Sequence, residues 1–342
     1  MEKTSSRAKM KIAIIGSGSW ATALAKLLTD NQVEIYWWFR NTPAMEHFQQ
    51  RGHNPTYLSK SFFDLSRIHF SDSLPYVVEN ADAVLLATPS AYLQQALEVL
   101  PTDAFDHKLI ISAVKGILPE RTELISDYLA RVFNLPLERF YTILGPCHAE
   151  EVASEKLSYL TFSGLDIDTC KNIAALFETL YLNTRVNHDV IGVQYAAVMK
   201  NIYALGAGIA HGLDYGDNFL SVFIANAADE MAGFLKQVTA CRELQQMPNY
   251  SSSVYLGDLL VTCYSLYSRN RMFGTMIGKG YSVKAAQLEL GMVAEGYNAS
   301  KCIHDLNGKL GAALPIAHSI YQILWENSPA DTTLLELEAI LN

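Results

Sequence analysis

Two lysines, an arginine and two carboxylates stand where their chemistry could be used. Lys200 lies within AAVMKNIYALGAG, among Ala196, Ala197, Ile202, Ala204 and Leu205, with Asn201 directly after it. A lysine on an apolar helix loses hydration, and that loss draws its pKa down toward the range where it can trade a proton near neutral pH. This suits general acid and base work. The alternative is a lysine whose stem lies along a helix edge with its head in water. Lys115, in Val114-Lys115-Gly116, ends an apolar strand, and strand ends face the ligand crevice in open α/β sheets. Gly257-Asp258-Leu259 is followed by Thr262-Cys263 and by Ser268-Arg269-Asn270. Asp258 and Thr262 share a helix face at i, i+4. A hydroxyl, a guanidinium and an amide in one tripeptide suit a phosphate or pyrophosphate, although the tripeptide also reads as the basic end of a helix. Glu295, in Val293-Ala294-Glu295-Gly296, is a single carboxylate beside a glycine and specifies little by itself.

These groups need a frame, and KIAIIGSGSWATALA from Lys11 to Ala25 supplies its first part. Lys11 to Ile15 reads as a short buried strand. Gly16-Ser-Gly18 makes a tight turn, and Trp20 to Leu28 reads as a helix with Ala21, Ala23 and Ala25 toward the strand. Gly16 suits the turn itself. Gly18 leaves room for a pyrophosphate to meet the helix N-terminus. Ala21 stands at the third small position of G-x-G-x-x-G/A, so the stretch has the strand-turn-helix context of a dinucleotide fingerprint rather than of an ordinary βα turn. Val33 to Phe39 is the next strand. Arg40 stands at its end, where an acidic residue would bind a ribose 2′-hydroxyl and an arginine instead pairs with a 2′-phosphate, stacks on adenine or is solvated.

Further strands are predicted at Ile68–Phe70, Asp82–Thr88, Lys108–Ala113, Phe140–Leu144, Tyr159–Phe162 and Thr184–Asn187. Helices are predicted at Ala44–Gln50, Tyr92–Leu100 and Glu120–Phe133, with a short one opened by Glu150 and Glu151. Thr88 to Ser90 is expected to line the crevice. From Ile191 the pattern turns helical: Val193–Ala210, Asn218–Cys241, Leu256–Tyr267, Ser282–Leu290, Tyr297–Leu306 and Ile316–Trp325. The expected division is a flexible tail over 1–10, a dinucleotide-binding domain over 11–189 and a helical substrate domain over 190–342.

Composition narrows the class. The 342 residues carry a net charge of −9 with no Lys/Arg tract, which argues against a nucleic-acid or membrane-surface binder. No apolar run reaches the ~20 residues of a bilayer span, so no membrane insertion is expected. The polar start MEKTSSRAKMK has no signal core, and a cytoplasmic protein is expected. Cys147, Cys170, Cys241, Cys263 and Cys302 show no C-x-x-C pair and read as reduced packing residues. The histidines show no metal-ligand spacing, so no metal is proposed.

Taken in order, GSGSWATALA, ATPS from Ala87, Lys115-Gly116, GPCHAEEVA from Gly145, IGVQYAAVMKNIYALGAGIAHGL from Ile191, GDLLVTCYSLYSRNRMFG from Gly257 and VAEGYNASK from Val293 make the chain resemble the bacterial-type soluble NAD(P)-dependent glycerol-3-phosphate dehydrogenases. The resemblance runs from Ile12 to about Leu324. It implies an α/β fold: an N-terminal Rossmann-type doubly wound sheet followed by an all-α C-terminal domain, 6-phosphogluconate dehydrogenase C-terminal-like. It implies reversible reduction of dihydroxyacetone phosphate to sn-glycerol 3-phosphate with NADPH or NADH, supplying glycerophospholipid synthesis. It implies cofactor contacts by Gly16, Gly18, Ser19, Trp20, Arg40, Lys115, Ala149, Arg269, Val293 and Glu295. Substrate contacts fall to Lys115, Gly145, Cys147, Lys200, Asp258, Ser268, Arg269 and Asn270, with Lys200 as proton donor and acceptor. Arg40 leans the cofactor toward NADPH, and the apolar helices suggest a homodimer.

The chain departs from the family pattern at four places. Ser252-Ser253-Val254-Tyr255-Leu256 replaces a glycine-rich approach to Gly257, Asn226 replaces an arginine, Cys147 replaces a hydroxyl residue and His148 replaces an aromatic. Two competing readings remain on the residues: a related two-domain dehydrogenase acting on another hydroxy compound, and an NAD(P)-binding sensor without turnover.

Overall fold

The computed structural model describes residues 10–242 and 248–342, so of the expected tail only Met10 is described. The chain alternates strand and helix through its first half: β1 (Ile12–Ile15), α1 (Ser19–Asp30), β2 (Ile35–Trp38), α2 (Thr42–Arg51), β3 (Ile68–Ser71), α3 (Leu74–Glu79), β4 (Ala83–Leu86), α4 (Ser90–Leu97), β5 (Leu109–Ser112), α5 (Ile125–Phe133), β6 (Phe140–Leu144), α6 (Ala149–Ala153), β7 (Ser158–Ser163), α7 (Ile167–Ala174) and β8 (Leu182–Asn187). The strands form one sheet in the order β3-β2-β1-β4-β5-β6-β7-β8, parallel except between β6 and β7. Both faces are covered. Ile12 and Ile14 pack into one apolar cluster, while Ala13 and Ile15 pack into another on the opposite face. That double burial is why these strands read as continuous apolar runs. The chain leaves β1 toward β2 and β3, then crosses back to β4, so a crevice opens beyond the carboxyl ends of β1 and β4.

The second half is helical: α8 (Val190–Gly212), α9 (Asp217–Cys241), α10 (Asp258–Tyr264), α11 (Arg269–Gly278), α12 (Val283–Leu290), α13 (Glu295–Leu310), α14 (Pro315–Trp325) and α15 (Ala330–Glu338). No helix among the described residues is long and apolar enough to cross a membrane. α8 is the axle, buried from Val190 to Ala210 and packed by α9, α10, α11, α13 and α14. Its small residues let neighbours approach closely. A Cβ on Gly208 would lie 2.1 Å from the Arg271 carbonyl oxygen, and one on Gly274 the same distance from that of Leu205. The sequence pattern does not predict α11, because its glycines lower intrinsic helix propensity. Here they serve the α8–α11 crossing instead.

Two predicted helices are corrected. Glu120–Phe133 begins only at Ile125, because Leu118 bridges Glu123 and Thr122 takes a left-handed φ of 54°. Leu256–Tyr267 is not one helix. Ser253–Gly257 forms a π-helical turn, α10 stops at Tyr264, and Ser268 caps the new helix α11. The Ser268-Arg269-Asn270 tripeptide therefore opens a helix rather than ending one.

One buried acid ties the helical half together. Glu230 on α9 accepts hydrogen bonds from the amides of Ile316 (2.7 Å) and Ala317 (3.0 Å) at the start of α14, and from the Tyr203 hydroxyl (3.2 Å). Burial outweighs these bonds and lifts its pKa to about 7. The folded pKa exceeds that of the unfolded chain, so folding takes up a proton. Stability from this group is full below the ordinary carboxyl pKa and is lost as pH rises through about 7. The difference in stability between wild type and Glu230→Gln should therefore shrink from pH 5 to 8, by up to about 3 kcal/mol. Urea melts of both proteins across that range measure it, and parallel pH curves would contradict it.

Candidate active site

The glycine turn is built for close approach. Gly16 has φ +126°, and a Cβ there would sit 2.7 Å from the Ala87 carbonyl oxygen, so neither the backbone angle nor the space admits a side chain. The Gly16 carbonyl accepts from Trp37 Nε1 at 2.7 Å. Gly18 precedes α1, and among the described residues no atom beyond its chain neighbours lies within 4 Å of where its Cβ would be, which leaves open space at the helix N-terminus. Asn54 braces the turn from a loop by donating to the Ser17 carbonyl (3.1 Å) and the Thr22 hydroxyl (3.0 Å). Nothing in the sequence marked Asn54, because its partners come from two distant segments.

Trp20, in the first turn of α1, faces the cleft. The Lys115 ammonium lies 5.2 Å from its ring centroid, and its indole nitrogen is buried without a hydrogen-bond partner among the described residues. Ser19 opens α1, half-buried. Arg40 is exposed just beyond β2. Ala149, the first residue of α6, is buried in the cluster that also holds Ala21 of α1. An open glycine cradle, a helix N-terminus and an orphaned indole N–H fit a dinucleotide.

Lys115 points across the cleft floor, donating to the carbonyls of Gly145 (3.2 Å) and Cys147 (3.4 Å). Lys200 meets it there from the helical side. Lys200 is 3 % exposed and ion-pairs with Asp258, which is 1 % exposed. Burial pushes the Lys200 pKa down to about 8, with Lys115 adding to the fall and Asp258 opposing it. Burial wins over the carboxylate because an ammonium gives up much hydration in a dry site. The two lysines, from separate halves of the molecule, therefore converge. Apart from Lys200, the Asp258 oxygens have no hydrogen-bond partner among the described residues. Thr262 shares the Asp258 face but donates to the Asp258 backbone carbonyl.

An amide relay locks this arrangement. Gly296 N–H donates to Asn270 Oδ1 (2.9 Å), Asn270 Nδ2 to Asn201 Oδ1 (2.9 Å), and Asn201 Nδ2 to the Lys115 carbonyl (2.7 Å). Four segments, α13, α11, α8 and the end of β5, are thus tied at the lysine. Asn270 was expected among the substrate contacts, and here its amide is engaged at both ends with the protein. Ser268 is buried and caps α11, its Oγ accepting from the Arg271 amide at 3.3 Å. Arg269, half-buried beside it, acts on Glu295, whose carboxylate crosses the cleft to the Ser90 amide (3.0 Å) and hydroxyl. Burial raises the Glu295 pKa against the pull of Ser90 and Arg269. Val293 is half-buried just before α13. Cys147 is buried and its thiol is pushed up to about 11, so it is no nucleophile at neutral pH.

Residues 11–170 match the N-terminal part, and residues 189–335 the C-terminal part, of the NAD-dependent glycerol-3-phosphate dehydrogenase family. The chain belongs to this family. Among named relatives, the glycerol-3-phosphate dehydrogenase [NAD(P)+] of Lacticaseibacillus paracasei is 32% identical over 334 residues, covering 96% of this chain and 94% of its own. That of Chlorobium phaeobacteroides is 33% identical over 330 residues, covering 96% and 97%. The crystal structure of the glycerol-3-phosphate dehydrogenase of Coxiella burnetii superposes with a TM-score of 0.86 at 26% identity, over 96% of this chain and 98% of that one. The yeast glycerol-3-phosphate dehydrogenase structure shares the fold, with a TM-score of 0.78 at 23% identity over 95% and 98%.

Two departures from the glycerol-3-phosphate dehydrogenase pattern are resolved locally. Asn226 bonds to the Val222 carbonyl and to the backbone of Asn342, not to the site. Tyr255, in the altered approach to Gly257, is buried and its hydroxyl pairs with Asp189, whose carboxylate also caps α8 through the Gly192 amide (2.8 Å).

Proposed function

We propose that the protein reduces dihydroxyacetone phosphate to sn-glycerol 3-phosphate, reversibly, with NADPH or NADH. The observation that carries this is Lys200, buried beside Asp258 and facing Lys115 at the mouth of the glycine turn. When bound, the cofactor supplies and takes back the hydride. Gly16, Gly18, Ser19 and Trp20 would hold the pyrophosphate side against the N-terminus of α1. Arg40 would meet the adenosine end. Ala149, Val293 and Glu295, the last tied to Ser90, would border the nicotinamide side.

The substrate lies between the halves. Arg269, at the start of α11 with Ser268 and Asn270, takes the phosphate, where both the cation and the helix N-terminus favour an anion. Anchoring that remote group fixes the carbonyl in reach of Lys200. Lys115, Gly145 and Cys147 line the opposite wall. As hydride reaches the carbonyl carbon, charge grows on its oxygen. The Lys200 ammonium stabilises that charge and passes its proton to the oxygen; in oxidation the neutral amine takes the hydroxyl proton. Asp258 orients the Lys200 head. The division at 189 into a cofactor half and a substrate half, a homodimer, a cytoplasmic location and a supply of backbone for glycerophospholipids belong to the same reading.

Loss of absorbance at the reduced-nicotinamide band on adding dihydroxyacetone phosphate tests it. Turnover is expected with both cofactors. Arg40→Ala should raise KM for NADPH roughly tenfold while leaving NADH nearly unchanged, as loss of one charged phosphate contact predicts. Folded protein that binds NADPH yet never oxidises it would overturn the reading in favour of a sensor.

A further inference from the structure

Among the described residues, the buried side-chain nitrogens and oxygens at the cleft without a hydrogen-bond partner are Trp20 Nε1, the Asp258 oxygens and His148 Nε2. Trp20 belongs to the cofactor side under Lys115, and Asp258 is held by Lys200. His148 is left over. We propose that His148 is a substrate-binding residue whose Nε2 pairs with the free hydroxyl of the triose phosphate. This rests on the function proposed above.

The placement follows from the chain. His148 precedes α6 directly after Gly145-Pro146-Cys147, whose carbonyls hold Lys115. Its ring reaches over the cleft to Tyr267, centroids 6.1 Å apart, on the loop between α10 and α11. The charged groups that act on it are Lys115, Lys200 and Asp258, with the Val261 carbonyl of α10. Burial first, then the two ammonium groups, bring its pKa down to about 4, so the ring is neutral near pH 7. A neutral imidazole presents one N–H and one lone pair, and a hydroxyl can answer either. A phosphate accepts only, and it is already matched to Arg269. The carbonyl is matched to Lys200. The hydroxymethyl group is the part of the substrate still without a partner, and His148 Nε2 is the cleft atom still without one. The neighbouring Cys147 thiol is a weak donor and does not compete.

The test compares two substrates: dihydroxyacetone phosphate and its deoxy analogue 1-phosphooxypropan-2-one, which lacks that hydroxyl. Wild type should favour the natural substrate in kcat/KM by roughly tenfold or more. His148→Phe should lose about that factor on dihydroxyacetone phosphate and stay within about twofold on the analogue, with NADPH affinity unchanged. His148→Gln, which keeps a polar end, should recover part of the preference and guards against a folding defect. Equal losses on both substrates, or no loss on either, would overturn the assignment. Wild-type protein that binds NADPH and reduces neither substrate would instead sink the underlying function, and this role with it.

Discussion

Lys200→Met is expected to lower kcat/KM for dihydroxyacetone phosphate by roughly a thousandfold while NADPH still binds, the scale of losing a positioned general acid. Methionine keeps the length and apolar stem of the side chain and removes the charge. It also strands Asp258, 1 % exposed, without its cation. An unpaired buried carboxylate costs about 3–5 kcal/mol, so the single variant will melt early. The double variant Lys200→Met/Asp258→Asn removes both charges and should regain most of that stability without regaining turnover. This separates the chemical role from the structural one. Turnover retained in either protein would show that the proton comes from elsewhere.

Gly16→Ala should be the second severe change, and Gly18→Ala makes the comparison informative. At Gly16 a methyl group meets the Ala87 carbonyl at 2.7 Å, at a φ that L-residues avoid. Strain of this kind costs on the order of 1–3 kcal/mol, and relieving it must pull β1 from β4 where the crevice opens. Both melting temperature and NADPH affinity should fall. At Gly18 the added methyl meets nothing within 4 Å among the described residues beyond its chain neighbours, so stability should hold. Affinity should still drop, because in the proposed site that space admits the pyrophosphate to the helix N-terminus. Thermal melts with cofactor titrations decide the matter. Unchanged NADPH affinity in Gly18→Ala would move the cofactor away from this turn.

Much of this was legible in the sequence, for identifiable reasons. The apolar strands, the glycine turn and the lysine within an apolar helix each carry their signal in a few adjacent residues. α11 was not legible, since glycines chosen for a helix crossing look like helix breakers when read alone. The break between Tyr264 and Ser268 was hidden because apolar residues such as Leu266 and Tyr267 continue the pattern while standing exposed. The amide relay through Asn201 and Asn270, the Ser90–Glu295 link and the Asn54 brace depend on residues far apart in the chain. So does His148, whose significance appears only once Lys115, Lys200 and Tyr267 surround it.

The convergence of Lys115 and Lys200 beside the glycine turn has one direct readout, the pH dependence of kcat/KM in both directions. In the proposed reaction, reduction uses the Lys200 ammonium and oxidation uses its amine. Reduction should therefore fall, and oxidation rise, through the same inflection near pH 8. Lys115→Gln removes a like charge, so in the residual activity both inflections should move to higher pH together. Flat profiles, two directions that change in the same sense, or an inflection indifferent to Lys115 would contradict the account.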